Sequence, residues 1–254
     1  MFKVKKMVLA LLVVVGMSGQ GVAQDVKVGV TVDSRPFSYV DEQGNHIGFN
    51  VDMAREICAR LNATCTFVFE EYSHLLPKVH AGELDFALPN MLKTPEREKL
   101  AGFTKAYWRS TSSYVGPVDL SFGNVDKVLL REKICAIEKT KQIAYLRQKM
   151  GGAVHQLVVN TTTKENLESM VAGKCRILLM PTMQSLSFLQ SDEGRGFGYL
   201  GEPIFGKGLG GDVHMIVRPD RPDLLKVIDV ALESMIADGT HMAITKRYFP
   251  FKML

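Results

Sequence analysis

The chain has 254 residues, with 31 Lys and Arg, 27 Asp and Glu, and a formal net charge of +4 at pH 7. It shows no cluster of basic residues of the kind that binds nucleic acid, so a nucleic-acid partner is not expected. A chain of this length can bury one large hydrophobic core or two smaller ones.

Residues 1–23 have the pattern of a secretory signal peptide. Three lysines precede an apolar run over 7–15, and Gly21-Val22-Ala23 is a small-residue cleavage site. The apolar run is too short for a membrane span, and the alternative of an uncleaved anchor is disfavoured because glycine and polar residues interrupt the stretch. Cleavage near Ala23 removes the three lysines and lowers the formal charge from +4 to +1. We therefore expect an exported protein.

The segment that follows the signal peptide alternates strands and helices. Alternation predicts a strand over 26–32, and apolar spacing predicts a helix over 51–61 that Asn50 can cap. A strand up to Phe69, a helix over 73–80 and a short strand over 86–88 follow. This order is the βαβαβ pattern of a parallel sheet.

The stretch from Asp85 to Arg97 predicts an anion site. Pro89 and Asn90 are expected to end the preceding strand, and Thr94 has the chemistry of a helix N-cap with proline directly after it. An arginine beside free backbone amides can hold a carboxylate. The alternative, left open by the sequence, is that Arg97 pairs with Glu96 or Glu98 at the surface.

A second series of strands and helices begins near residue 133. Strands are predicted over 133–137, 156–159, 176–180 and 212–218. Helices are predicted over 141–150 with Thr140 as N-cap, over 164–172 with Thr163 as N-cap, from Pro181 onward, over 222–238 and over 240–247. The glycine-rich stretch 206–211 does not follow the phosphate-loop spacing and predicts a turn or hinge.

Five motifs occur in the order of one known family. They are Arg35-Pro36-Phe37, Gly48-Phe49-Asn50-Val51-Asp52, Thr94-Pro95-Glu96-Arg97, Phe103-Thr104-Lys105-Ala106-Tyr107, and Asp238-Gly239-Thr240 followed by Lys246-Arg247-Tyr248-Phe249. In order and spacing the chain resembles the periplasmic amino-acid-binding proteins of ABC importers, that is, the bacterial extracellular solute-binding proteins of family 3. The match runs from Val26 to about Gly116 and returns at the C-terminal end.

This resemblance implies an α/β fold of two lobes, each a mostly parallel sheet flanked by helices. It places lobe 1 at 24–113 and 212–254 and lobe 2 at 114–211, with two hinge crossings near 112–117 and 208–213. It implies a periplasmic monomer that binds a small amino acid-like or carboxylate ligand between the lobes. No cofactor or metal is expected. The expected protein partner is a membrane ABC permease.

The resemblance also assigns roles to single residues. Arg97 lies where the family clamps the ligand carboxylate, and Asn90 where backbone groups contact the ligand. Tyr72 corresponds to the wall over the ligand side chain, and Thr140 with its helix start completes the carboxylate site. Phe37 of the Pro-Phe turn belongs to the same expected set of ligand-binding residues.

Three positions depart from the family pattern. Ser34 replaces an aromatic residue that lines the cleft, and Leu92 replaces a hydroxyl that reaches the carboxylate. Pro181 stands where the family places an aspartate for the ligand's α-ammonium group. Glu138 is a candidate substitute carboxylate, with a solvated acid at a strand end as the alternative.

The four cysteines suit an oxidising compartment. Cys58 and Cys65 flank a helix-to-strand turn, and basic-amino-acid binders of the resembled family place a disulfide at this corner. The alternative is a pair of free thiols in the core. Cys135 and Cys175 begin predicted neighbouring strands, so a second disulfide between them is an open possibility.

Two other functions are alternatives to transport. A ligand-sensing partner of a membrane receptor has the same sequence signature as a transport protein. A cyclohexadienyl dehydratase-like enzyme needs a positioned acid, and the stretch from Pro181 to Gln184 contains none, so no enzyme is expected. The histidines lack metal-ligand spacing, and no Gly-x-Ser-x-Gly motif is present.

Overall fold

The structure is a computed structural model that describes residues 25–120 and 123–249. The predicted signal peptide and its cleavage site lie outside the described residues. Within the described ranges no helix combines the length and the apolar character needed to span a membrane.

The elements follow one another in an α/β order. The strands are β1 Asp25–Thr31, β2 Tyr39–Val40, β3 His46–Ile47, β4 Thr64–Glu70, β5 Phe86–Leu92, β6 Gly102–Ser110, β7 Ser112–Pro117, β8 Ile134–Ile137, β9 Leu157–Asn160, β10 Ile177–Pro181, β11 Phe197–Ile204 and β12 Gly211–Val217. The α-helices are α1 Phe49–Arg60, α2 Tyr72–His80, α3 Pro95–Glu98, α4 Val125–Leu129, α5 Lys141–Met150, α6 Thr163–Val171, α7 Thr182–Leu189, α8 Pro222–Ala237 and α9 Thr240–Tyr248. A short 3₁₀ helix, Gly151–Gln156, follows α5.

Two separate five-stranded sheets form the two lobes. In the described part of the chain their strand orders are β4-β1-β5-β12-β6 and β11-β7-β10-β8-β9. In the first sheet β1 pairs in parallel with β4 and β5, and β12 pairs antiparallel with β5 and β6. The second sheet repeats this plan, with β8 parallel to β9 and β10, and β7 antiparallel to β10 and β11. The two-lobed α/β class is thus confirmed, with one reversed strand in each sheet.

The chain crosses between the lobes twice. β6 ends at Ser110 and β7 begins at Ser112, so a single residue separates a strand of the first sheet from a strand of the second. The chain returns between Ile204 and Gly211. The segment 112–117, expected as a passage, is instead a full strand of the second sheet, because its backbone pairs on both sides with β10 and β11.

Predictions for the helix starts were right at two positions and wrong at two. Thr94 caps α3 and Thr140 caps α5, each accepting a backbone N–H three residues on. Asn50 is not an N-cap: it lies inside α1, and its Nδ2 donates to Leu88 O at 2.9 Å. Thr162, not Thr163, caps α6 by accepting the N–H of Glu165 at 3.1 Å. In both wrong cases the polar side chain predicted to cap has a partner far along the chain.

Both disulfides are formed. Cys58 and Cys65 are bonded with a Cα–Cα distance of 6.1 Å, and Cys135 and Cys175 with a distance of 5.7 Å. The first pairing is confirmed, and the second, left open by the sequence, is present. The first bond closes a helix-to-strand turn in the first lobe, and the second joins the starts of two neighbouring strands in the second lobe. Disulfides are expected in an exported protein.

A buried histidine in the first lobe makes stability depend on pH. His241 is buried, and its Nε2 donates to the backbone oxygen of Tyr107 at 2.7 Å. Burial lowers the pKa of His241 from its ordinary value of 6.5, and this carbonyl only partly opposes the shift. The folded protein therefore favours the neutral ring, and the unfolded chain takes up the proton first as pH falls.

We expect the free energy of unfolding to decrease as pH falls below about 6.5, through the range between the unfolded and the lower folded pKa of His241. Urea unfolding at about pH 7.5 and about pH 5.5 measures this loss. His241→Gln should flatten the pH dependence, whereas His155→Gln, a change at an exposed ring, should not. An unchanged slope in His241→Gln would contradict the assignment.

Candidate functional site

A cavity lies between the lobes, where the carboxyl ends of the parallel strands of the two sheets face each other. This edge is where open α/β sheets bind ligands. Predicted residues that line the cavity are Ser34, Tyr72, Asn90, Leu92, Arg97, Thr140 and Pro181. The cavity is therefore built from both lobes by residues far apart in the sequence.

Two predicted site residues do not line the cavity. Phe37 is fully buried in the core of the first lobe, with its ring 4.9 Å from that of Trp108 and 5.4 Å from that of Phe249. Its side chain packs where a ligand has no access. Glu138 directly follows β8 and donates its backbone N–H to Asn160 O at 2.9 Å, and its half-buried side chain lies outside the cavity lining. The structure thus gives Glu138 no role as a substitute carboxylate in the cavity.

Arg97 is held by neutral groups from both lobes. Its Nη1 donates to Leu92 O at 2.7 Å, and its Nη2 to the Tyr72 hydroxyl at 2.8 Å. Nη2 also lies 3.4 Å from the backbone oxygen of Lys139 in the second lobe. Burial raises the pKa of the Tyr72 hydroxyl, and the positive charge of Arg97 opposes that rise. Tyr72 therefore stays neutral and orients the guanidinium without neutralising it.

The alternative of a surface ion pair for Arg97 does not hold. Across the described residues no carboxylate lies within ion-pair distance of Arg97, and Glu98 pairs with Lys93 at 2.5 Å instead. A half-buried guanidinium whose partners are all neutral keeps its full charge for a ligand.

Asn90 forms part of the cavity floor in an unusual backbone conformation. Its φ is 57°, in the left-handed region, which asparagine tolerates better than most residues. The expectation that Asn90 ends the strand was wrong, because β5 continues to Leu92 and pairs there with β12. The turn of the backbone at Asn90 points its side chain into the first lobe.

A buried network fixes the Asn90 side chain. Its Oδ1 accepts from Asn50 Nδ2 at 3.0 Å, from the Tyr107 hydroxyl at 3.0 Å and from Trp108 Nε1 at 3.3 Å. Burial raises the pKa of Tyr107, so its hydroxyl keeps its proton and remains a donor. The floor of the cavity is thereby tied directly to the core of the first lobe.

Three helices of the second lobe start at the cavity. The parallel strands β8, β9 and β10 end at the same edge, and α5, α6 and α7 begin directly after them. Thr140, Thr162 and Pro181, the N-cap residues of these helices, all line the cavity. Helix N-termini carry partial positive charge and free N–H groups, so their convergence favours an anion.

Sequence reasoning missed a polar cluster that joins the lobes. Ser34 of the first lobe lies 3.5 Å from Thr163 Oγ1 and 3.4 Å from Gln184 Nε2, both of the second lobe. Gln142, also in the lining, donates to Ser112 Oγ at 2.8 Å. The one available signal was the position of Gln184 on the first turn of the helix that follows Pro181.

A family model decides the relationship of this chain to known proteins. The model for bacterial extracellular solute-binding proteins, family 3, matches residues 26–251. The chain belongs to this family. The resemblance inferred from the five motifs is thus confirmed, and the match includes both lobes.

Relatives of this solute-binding protein include proteins named for the amino acids that they bind. The histidine-binding periplasmic protein of Escherichia coli K12 is 25% identical over 258 residues, covering 97% of this chain and 98% of the relative. The L-arginine-binding protein of Pseudomonas aeruginosa is 24% identical, covering 89% of this chain and 88% of the relative. The solute-binding protein thus aligns with each of these relatives over at least 88% of the relative's length.

Solved structures share the fold of the solute-binding protein. An ancestral arginine-binding protein bound to arginine superposes with a TM-score of 0.82 at 22% identity, covering 89% of this chain and 98% of that one. A histidine kinase sensor domain with similarity to periplasmic binding proteins gives a TM-score of 0.80 at 18% identity, covering 89% and 96%. At these identities the likeness establishes the two-lobed fold.

Proposed function

We propose that this solute-binding protein works in the periplasm, where it captures a small amino acid-like or carboxylate ligand and delivers it to the membrane permease of an ABC importer. The family membership and the names of the periplasmic relatives support this proposal. In this proposal the protein acts as a monomer that closes on its ligand by hinge bending between the lobes.

The observation that carries the proposal is the environment of Arg97. Its guanidinium is half-buried in the cavity, bonded to neutral oxygens, and positioned between the lobes by Tyr72 and the backbone of Lys139. A ligand carboxylate can pair with the guanidinium through the N–H groups that these bonds leave unused. The N-terminus of α5 at Thr140 faces the same cavity and supports the negative charge from the second lobe.

Closure of the two lobes around the ligand then follows from the placement of these groups. A carboxylate bound to Arg97 in the first lobe and to the α5 N-terminus in the second contacts both lobes at once. Such a ligand stabilises the closed form because only that form brings both contacts together. The permease is proposed to recognise the closed form.

A thermal-shift screen tests the proposed function. The purified protein is freed of carried-over ligand by unfolding and refolding, then screened against the proteinogenic amino acids, their decarboxylated amines and small organic acids. A ligand at about a hundred times its dissociation constant adds about 2.7 kcal/mol to the free energy of unfolding. We expect carboxylates to raise the melting temperature of the protein and the decarboxylated amines to leave it unchanged. Binding of an amine without a carboxylate would contradict the proposal.

A further inference from the structure

The cavity contains positive charge and no carboxylate. Among the described residues that line it, Arg97 and Lys141 are the charged ones, and none is Asp or Glu. Glu138, Glu96 and Glu98, the acids nearest in sequence to Thr140 and Arg97, all lie outside the lining. Among these lining residues no side-chain carboxylate is therefore available to form an ion pair with a positively charged group of a ligand.

The orientation of three helices adds to the positive charge of the cavity. The N-termini of α5, α6 and α7 all open into the cavity, as their lining residues Thr140, Thr162 and Pro181 show. Each N-terminus contributes a partial positive charge. A protonated amine enclosed here would lose its hydration and face partial positive charges without a carboxylate of the lining to pair with, which is unfavourable.

One neutral acceptor in the cavity lacks a partner. Gln184 is only 8% exposed and lines the cavity, and its Oε1 has no hydrogen-bond partner in the described part of the protein. Its Nε2 is directed to Ser34 Oγ at 3.4 Å, which leaves Oε1 as an unused acceptor. A buried acceptor without a partner is unfavourable unless a ligand supplies a donor.

We propose that the ligand is a small hydroxycarboxylate, whose neutral hydroxyl takes the place of a protonated amine. The inference rests on the proposed function, because it assumes that Arg97 holds the carboxylate. The hydroxyl donates to Gln184 Oε1 and accepts from the hydroxyls of Ser34 or Thr163, which lie within 3.5 Å of each other. A hydroxyl can donate and accept at once, whereas an ammonium group only donates.

Matched ligand sets test the inference. Each set keeps one carbon skeleton and varies one group: lactate, alanine and propionate; phenyllactate, phenylalanine and phenylpropionate; 2-hydroxyglutarate, glutamate and glutarate. Affinities are measured by calorimetry on the ligand-free protein. In the set whose skeleton fits, the hydroxy acid should bind at least about tenfold more tightly than both the amino acid and the unsubstituted acid.

The outcomes separate this inference from the proposed function. An amino acid that binds as well as its hydroxy acid overturns the hydroxycarboxylate inference and leaves the proposed function standing. An unsubstituted acid that binds as well as the hydroxy acid also overturns the inference. No binding by any carboxylate, in these sets or in the wider screen, overturns both.

Two pairs of variants test two parts of the inference separately. One part is the lack of a carboxylate in the cavity, and the other is the role of Gln184 Oε1 as a hydrogen-bond acceptor. Pro181 is the N-cap residue of α7 without a side-chain cap bond, and both Asp and Asn are favoured at N-caps, so Pro181→Asp and its uncharged control Pro181→Asn should fold. Only Pro181→Asp should shift the preference toward the amino acid, by about tenfold or more. Equal behaviour of the two variants would contradict the charge argument.

Gln184→Leu tests the acceptor. It should weaken binding of the hydroxy acid by about tenfold and leave the affinity for the unsubstituted acid unchanged. A purely structural role of Gln184 would weaken both ligands alike, which would overturn the inference. Gln142→Leu is the matched comparison for Gln184→Leu, because it makes the same substitution at another glutamine of the same cavity, one whose Nε2 is bonded to Ser112.

Discussion

Replacing Arg97 by alanine should abolish ligand binding while the protein stays folded. Truncating one member of a buried charge pair costs about 2–5 kcal/mol of binding free energy, which is a loss of affinity of about 30-fold to about 5,000-fold. Stability should change little, because Arg97 makes hydrogen bonds to neutral groups in a half-buried setting and has no ion pair among the described side chains. Calorimetry for binding and a thermal melt for folding measure the two effects separately.

Two further variants sharpen this test. Lys93→Ala removes a positive charge from the same segment, but Lys93 is exposed and pairs with Glu98, so affinity should stay the same. Arg97→Lys keeps the charge and loses the planar fork, so it should retain only part of the affinity. An unchanged affinity in Arg97→Ala would show that the carboxylate binds elsewhere.

Removing the Cys135–Cys175 disulfide should destabilise the protein more than removing Cys58–Cys65. The first bond spans 40 residues of chain and the second spans 7. Loop-closure entropy then predicts a loss of about 4 kcal/mol for the longer loop and about 2 kcal/mol for the shorter one. Chemical denaturation of the two double alanine variants measures both losses.

Each double variant serves as the control for the other, since each removes one bond from one lobe. The cysteines of the longer loop are also the more deeply buried, so packing losses act in the same direction as the entropy. Equal losses, or a larger loss for the shorter loop, would contradict the prediction.

The sequence predicted those features that depend on neighbours in the chain. Thr94 and Thr140 were identified as N-caps because the capping group and the helix it caps lie within a few residues. The placement of Arg97 at the cavity followed from the same local reasoning together with the family resemblance.

The wrong predictions for Asn50 and Phe37 involve contacts between residues that are distant in the sequence. Asn50 has the chemistry of a cap, but its amide bonds to Leu88, 38 residues away. Phe37 sits in a motif that borders the cavity, yet its ring packs against Trp108 and Phe249. A motif identifies the segment near a site, but the direction of each side chain depends on the packing of the whole lobe.

The cluster of Ser34, Thr163 and Gln184 was missed for the same reason. Ser34 lies 129 residues from Thr163 and 150 from Gln184 in the chain, and no local pattern joins them. Glu138 was considered as a substitute acid because of its nearness to Thr140, but the end of β8 places its side chain outside the cavity lining.

The shortness of the crossings limits how the two lobes can move. Thr111 alone separates β6 from β7, and Ser112 Oγ donates to Leu209 O at 2.5 Å, which joins the outgoing crossing to the returning one. Two adjacent tethers that are bonded to each other leave the lobes one main axis of rotation. With the proposed closure of the lobes on the ligand, a single distance across the cleft reports occupancy, so a pair of fluorescent dyes, one on each lobe, would make this protein a reagentless sensor for its own ligand.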